Sequence, residues 1–149
     1  MLQCTAVTPA PLNDVLLALT TMETGPDNPL TALPPAHYVL CELGEHDTHT
    51  EHAALLCPGG TPHRPALWLL WTGTDTDRTH RITTIPWCPT VLRILDTDSA
   101  LPCSLLNHHT GDHSWNVTDP LSDLLAGPVT TNSTHTPGDT PDTPTDHPR

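Results

Sequence analysis

The sequence predicts a small α+β domain, mainly β. It should hold a three-stranded antiparallel meander and one or two short helices, followed by a disordered C-terminal tail. Three observations carry that expectation. Residues 52–88 contain three apolar, strand-forming runs separated by short polar turns. The segment Asp119–Pro128 has the start and stop residues of a short helix. All four Trp and nearly all the Leu lie before residue 127, and the remainder is almost entirely Thr, Pro, Asp, Ser, His and Gly, with one apolar residue.

Each element follows from its residues. Residues 9–22 suit a short helix, with Asn13 or Asp14 as cap and Leu16, Leu17 and Leu19 on an apolar face. The stretch Gly25–Pro35, with its prolines, reads as a loop, and His37–Cys41 reads as a short strand. Ala53–Cys57 ends at the turn Pro58-Gly59-Gly60. Pro65–Thr72 forms the second run, Gly73–Arg78 the next turn and Arg81–Trp87 the third run. Trp68 and Trp71 fall on opposite faces of an ideal strand, so either both faces are covered or one Trp is exposed. Thr90–Asp96 fits one or two helical turns or a strand. At the last helix, Asp119 stands at N-cap and Pro120 at N1; Leu121, Leu124 and Leu125 share a face, and Gly127-Pro128 closes it. The organisation expected is a flexible N-terminus over 1–8, one Cys/His-rich domain over 9–127 and a disordered tail over 128–149.

Composition narrows function. Leu, Val and Ile make up 31 of 149 residues and Phe is absent, so the core is thin and a metal or covalent cross-link would help it most. The formal charge is −12, from 17 carboxylates against five Arg and no Lys. Clustered cations for phosphate are lacking, which argues against nucleic-acid binding; an acidic surface is open to a basic protein partner, though most acidic proteins are simply soluble ones. No stretch approaches a membrane span, and no signal peptide or lipoprotein anchor is recognisable. The sequons at Asn116 and Asn132 then read as chance matches. A cytoplasmic location follows, where thiols stay reduced, and the odd count of five Cys points to metal ligation rather than disulfides.

Two segments resemble each other. One begins at Cys41, with His46, His49 and His52; the other begins at Cys103, with His108, His109 and His113. The second, Cys-x5-His-x-Gly-x-His-x-Trp through His109, Gly111, His113 and Trp115, resembles a motif of small uncharacterised proteins from GC-rich bacteria. That resemblance covers about thirteen residues and implies metal binding with no particular activity. The absence of Lys and Phe fits the codon bias of such genomes. The first copy lacks the motif's Gly and Trp.

Thiolate and imidazole suit a tetrahedral zinc shell, so Cys41, His46, His52, Cys103, His109 and His113 are the candidate ligands and zinc the expected metal. Two arrangements fit. In the favoured one, a single ion joins the copies through Cys41, His52, Cys103 and His113, closing a long loop. In the other, each copy holds its own ion and Cys57 or Cys88 completes a shell. Cys57 and Cys88 otherwise read as buried thiols at strand ends, and Cys4 as free.

Enzyme signatures are missing: there is no His-Glu-x-x-His, no Pro-Cys-x-x-Cys, no Gly-x-Ser-x-Gly and no phosphate-binding Gly-rich loop. The leading expectation is a non-catalytic, zinc-stabilised interaction module that meets its partner through its acidic surface or an exposed Trp. The alternatives are a zinc-dependent hydrolase with Glu45 or Glu51 as base, an acidic inhibitor that mimics nucleic acid, and a metal-free fold with incidental histidines.

Overall fold

Ala66–Thr72 alternates nothing: it is apolar at every position but the last, as a strand buried on both faces requires. In the computed structural model, which describes residues 1–126 other than Pro62, this segment is the middle strand of the meander. The elements are β1 (Val7–Pro9), α1 (Leu12–Thr21), β2 (Tyr38–Leu40), β3 (His52–Cys57), β4 (Ala66–Thr72), β5 (Thr79–Ile85), β6 (Val91–Ile94), β7 (Ser99–Pro102) and α2 (Pro120–Ala126). Short 3-10 turns lie at Pro29–Ala32, Asp75–Asp77 and Ser114–Asn116.

The sheet β3-β4-β5 is antiparallel throughout and is flanked by two separate two-stranded ribbons, β1-β2 and β6-β7. On β4 every residue from Ala66 to Trp71 is buried, so both faces are covered and neither strand Trp is exposed. One face carries Leu67, which packs with Val15 and Leu19 of α1, one helical turn apart. The other carries Trp68, whose ring meets Trp87 edge-on at 5.7 Å. A bulge between Leu55 and Cys57 places Cys57 opposite Leu67, so that Cys57 joins the packing under α1.

Several expectations need correction. The chain over 1–8 was expected to be flexible, yet Leu2 bridges Thr118, Gln3 bridges Gly44, and β1 pairs in register with β2. Backbone pairing with residues far along the chain, invisible to local composition, orders it. Helix α1 is not capped by Asn13 or Asp14: it starts at Leu12, behind Pro11, with no side-chain cap. Asp14 instead lies in the first turn, where a carboxylate complements the helix dipole, and it meets His80 of β5 at 3.1 Å. The segment Thr90–Asp96, open between helix and strand, forms β6, paired with β7.

The last helix begins as read. The Asp119 carboxylate accepts the amides of Leu121 and Ser122. Leu121, Leu124 and Leu125 are exposed, as are Val91, Leu92, Ile94, Leu95 and Leu101 on and beside the β6-β7 ribbon. The tail expected to be disordered over 128–149 lies outside the described residues. No helix among the described residues is long and apolar enough to cross a membrane.

Candidate metal centres

Each two-stranded ribbon is a frame for four ligands. Cys4 precedes β1 by three residues and Cys41 follows β2 directly; Cys88 precedes β6 by three residues and Cys103 follows β7 directly. The backbone wiring is the same in both. Cys4 donates its amide to Leu43 and Cys41 to Ala6, both at 2.8 Å; Cys88 donates to Leu105 at 2.8 Å and Cys103 to Thr90 at 2.9 Å. Glu45 donates to Leu2 in the first frame and Asn107 to Pro86 in the second, both at 2.8 Å. The strand registers coincide too, Val7 opposite Leu40 matching Val91 opposite Pro102. The chain therefore contains the same unit twice, once with α1 inserted in its ribbon and once with a tight turn.

The loop after each second Cys returns two imidazoles. Around the first frame, the Cys4 sulfur lies 3.5 Å from His52 Nδ1 and the Cys41 sulfur 3.6 Å from His46 Nε2, with the two ring nitrogens 3.1 Å apart. Around the second, Cys88 is 3.6 Å from His113 Nδ1 and Cys103 is 3.6 Å from His109 Nε2, with 3.2 Å between the nitrogens. The same four atom types converge in both. Within each group all donor atoms lie within 4.8 Å of one another, so each group is a candidate to hold one metal ion.

The surroundings fix the rings. His46 Nδ1 meets the carbonyl of Asp47 at 2.9 Å, and His109 Nδ1 meets that of Thr110 at 3.3 Å. A carbonyl only accepts, so Nδ1 carries the proton and each Nε2 lone pair points at the sulfurs. His52 opens β3 and lies on Trp71, ring centroids 5.2 Å apart; His113 lies on Trp115 at 4.8 Å. In the second loop the backbone turns through Gly111 at φ +75° and His108 at φ +60°. The first loop has no glycine there. Instead the Asp47 carboxylate accepts the amides of His49 and Thr50, closing the turn from a side chain.

The electrostatic surroundings of the donors differ between the two sites. Burial pushes the Cys41 thiol up to about 12, against amide hydrogen bonds from Ala53 and Leu43 and with Cys4 adding to the rise. A thiolate there needs a positive charge beside it. For Cys88, burial acts upward but is outweighed by the hydroxyl and amide of Thr90 and by Cys103, so its thiol sits below the usual range. Burial, and then His46, hold His52 below its ordinary value and favour the neutral, ligating imidazole. Glu42, beside Cys41, is raised by burial and accepts the Leu55 amide.

The six residues singled out by sequence fall into two groups. Cys41, His46 and His52 gather with Cys4, and Cys103, His109 and His113 gather with Cys88. The favoured single set of Cys41, His52, Cys103 and His113 is therefore not what the fold gathers; the grouping follows the other arrangement, one set per copy with Cys88 completing the later one, because each frame takes its fourth donor from the segment leading into its first strand. Cys4, expected to be free, and Cys88, expected to be foremost a buried strand-end thiol, supply the fourth donors. Cys57 belongs to neither group and is a buried thiol near the Pro58 carbonyl. Cys4 and Cys88 were hard to see because 36 and 14 residues separate them from their partner cysteines. Their signal was a shared Cys-x2-Val leading into a strand, joined later to a shared Cys-x-Leu (Cys41-Glu-Leu43, Cys103-Ser-Leu105).

No family model matches the chain, and neither a curated protein nor a solved structure matches it.

Proposed function

We propose that the protein is a non-catalytic interaction module stabilised by two zinc ions, one in each Cys2His2 set. The donor-atom geometry carries this reading. Ligand bonds of about 2.3 Å to sulfur and 2.0–2.1 Å to nitrogen at tetrahedral angles place sulfur and nitrogen about 3.6 Å apart and two nitrogens about 3.3 Å apart. The nearest sulfur–nitrogen pairs (Cys4–His52, Cys41–His46, Cys88–His113, Cys103–His109) stand at 3.5–3.6 Å and the nitrogen pairs at 3.1–3.2 Å, with every other donor pair within 4.8 Å. Two thiolates and two neutral imidazoles also cancel the charge of a divalent ion, which suits sites whose sulfurs are mostly buried.

A four-ligand shell is that of a structural ion, since catalysis needs an open position for water or substrate. The carboxylates considered for a hydrolytic role fit it poorly: Glu51 is engaged by Arg81 at 2.8 and 3.1 Å, and Glu45 is exposed. Metal binding would offset the ordering entropy that a thin core leaves uncovered. The formal charge of −12 supports a basic protein as partner.

Native mass spectrometry of untagged protein, before and after chelation, tests the reading, with circular dichroism on the same samples. Two zinc increments per chain, and loss of cooperative unfolding once they are removed, are expected. A metal-free chain that melts equally sharply in excess chelator would overturn it.

A further inference from the structure

The first three residues lie between the two metal units rather than beside one of them. The Thr118 amide donates to the Met1 carbonyl and the Gln3 amide to the Thr118 carbonyl, each at 2.9 Å. Thr118 is five residues beyond the ligand His113, and the turn between them is closed by the Asn116 amide on the His113 carbonyl at 2.9 Å. Across its other edge the same segment bonds the first unit, through Glu45 to Leu2 and Cys4 to Leu43. The Met1 side chain lies against both ligand loops. A Cβ on Gly111 would stand 3.3 Å from its Sδ, and one on Gly44 would run into it.

Cys4, a ligand of the first site, is thus placed by a bridging segment whose far partner is placed by the second site. From this we infer that the two ions load interdependently, each site raising the affinity of the other through the bridging segment of residues 1–3. The inference rests on the two-ion reading above and adds a coupling to it. The physical link is backbone order. Without an ion at Cys88, Cys103, His109 and His113, the segment after His113 loses its anchor, the Leu2–Thr118 pairing loosens, and Cys4 must be ordered at the moment of metal capture. Linkage then requires the converse effect to be equal.

The test uses full-length, reduced, metal-stripped protein titrated with Zn2+ against a chromophoric chelator of known affinity. Three chains are compared: the native one, C88S/H113A retaining the first site, and C4S/H52A retaining the second. Each is made with and without Thr118→Pro, which removes one amide from the bridge and leaves all eight ligands intact. With the native segment, loss of either site should weaken the other by at least about 5-fold, by the same factor in both directions, the lower end of usual coupling. With Thr118→Pro, the chain should still take two ions but the factor should fall toward one, which separates a segment-borne coupling from simple unfolding of the double variants. Two ions bound with each single-site chain as tight as the native one overturns the coupling and leaves the metal reading standing. A factor that survives Thr118→Pro unchanged overturns the assigned route. A native chain that takes no zinc overturns both.

Discussion

Replacing Cys4 with Ser should weaken the first site's hold on its ion by about 100-fold, although Cys4 is the least buried of the five thiols. Its sulfur is 3.5 Å from His52 Nδ1 and supplies one of four donors. Structural zinc contributes about 10–16 kcal/mol in small folding units at neutral pH, so one ligand of four is worth on the order of 3 kcal/mol. A serine hydroxyl does not deprotonate to replace the thiolate. Set against a stability of about 5–15 kcal/mol for a domain of this kind, that loss should lower Tm by about 10 °C. Cys57→Ser is the control: Cys57 is buried to a similar degree as Cys88, at 8% exposure each, but stands in neither group. It should cost about 1 kcal/mol and no metal. Differential scanning calorimetry with elemental analysis of the same samples reads both quantities. A C4S chain that retains two ions with Tm within about 3 °C of the native value would refute Cys4 as a ligand.

Other expectations follow from the same geometry. Trp68→Ala removes a fully buried ring from the middle strand and should cost about 3–5 kcal/mol by chemical denaturation, with zinc still bound at saturating metal. Arg81→Ala breaks a bidentate pair with Glu51, but the two side chains are 57% and 40% exposed. It should change stability by less than about 1 kcal/mol and leave metal content unaltered. For pH, burial lowers the folded-state pKa of His52 from 6.5. The unfolded chain therefore takes up the proton first, so stability is fully present above that value and declines as pH falls through it toward the folded one. Proton competition for the thiolates acts in the same direction. Metal content measured after equilibration from pH 7.5 down to 4.5 should be constant at first and then fall together with Tm; retention of both ions at the lowest pH would contradict this.

Legibility from sequence tracked the range of the interactions. The meander was readable because Ala66–Thr72 is apolar throughout and the turns at Gly59-Gly60 and Gly73 punctuate it locally. The start of α2 was readable because Asp119 caps it through amides two and three residues away. The ligand loops were visible for the same reason: Cys41, His46 and His52 lie within twelve residues, and Cys103, His109 and His113 within eleven. What sequence did not convey is long-range pairing. Leu2 with Thr118 and Gln3 with Gly44 order a stretch of unremarkable composition, and ribbon pairing brings Cys4 to Cys41 across the whole of α1. Local sequence shows the Cys and His of each loop, and leaves open a shared ion or one ion per copy; the ribbon pairing that adds Cys4 to one set and Cys88 to the other decides between them. The duplication itself was legible only in part, because Asp47 does in one loop by side-chain hydrogen bonding what Gly111 does in the other by its backbone.

Zinc K-edge X-ray absorption on the untagged protein, as purified, bears most directly on the account. Because both sites offer the same donors, their average should be that of either one: two sulfurs at about 2.3 Å and two nitrogens at about 2.0–2.1 Å per zinc. A shell with fewer than two sulfurs, or one completed by a water oxygen in place of a protein ligand, would contradict the closed Cys2His2 pair on which the fold is argued to depend.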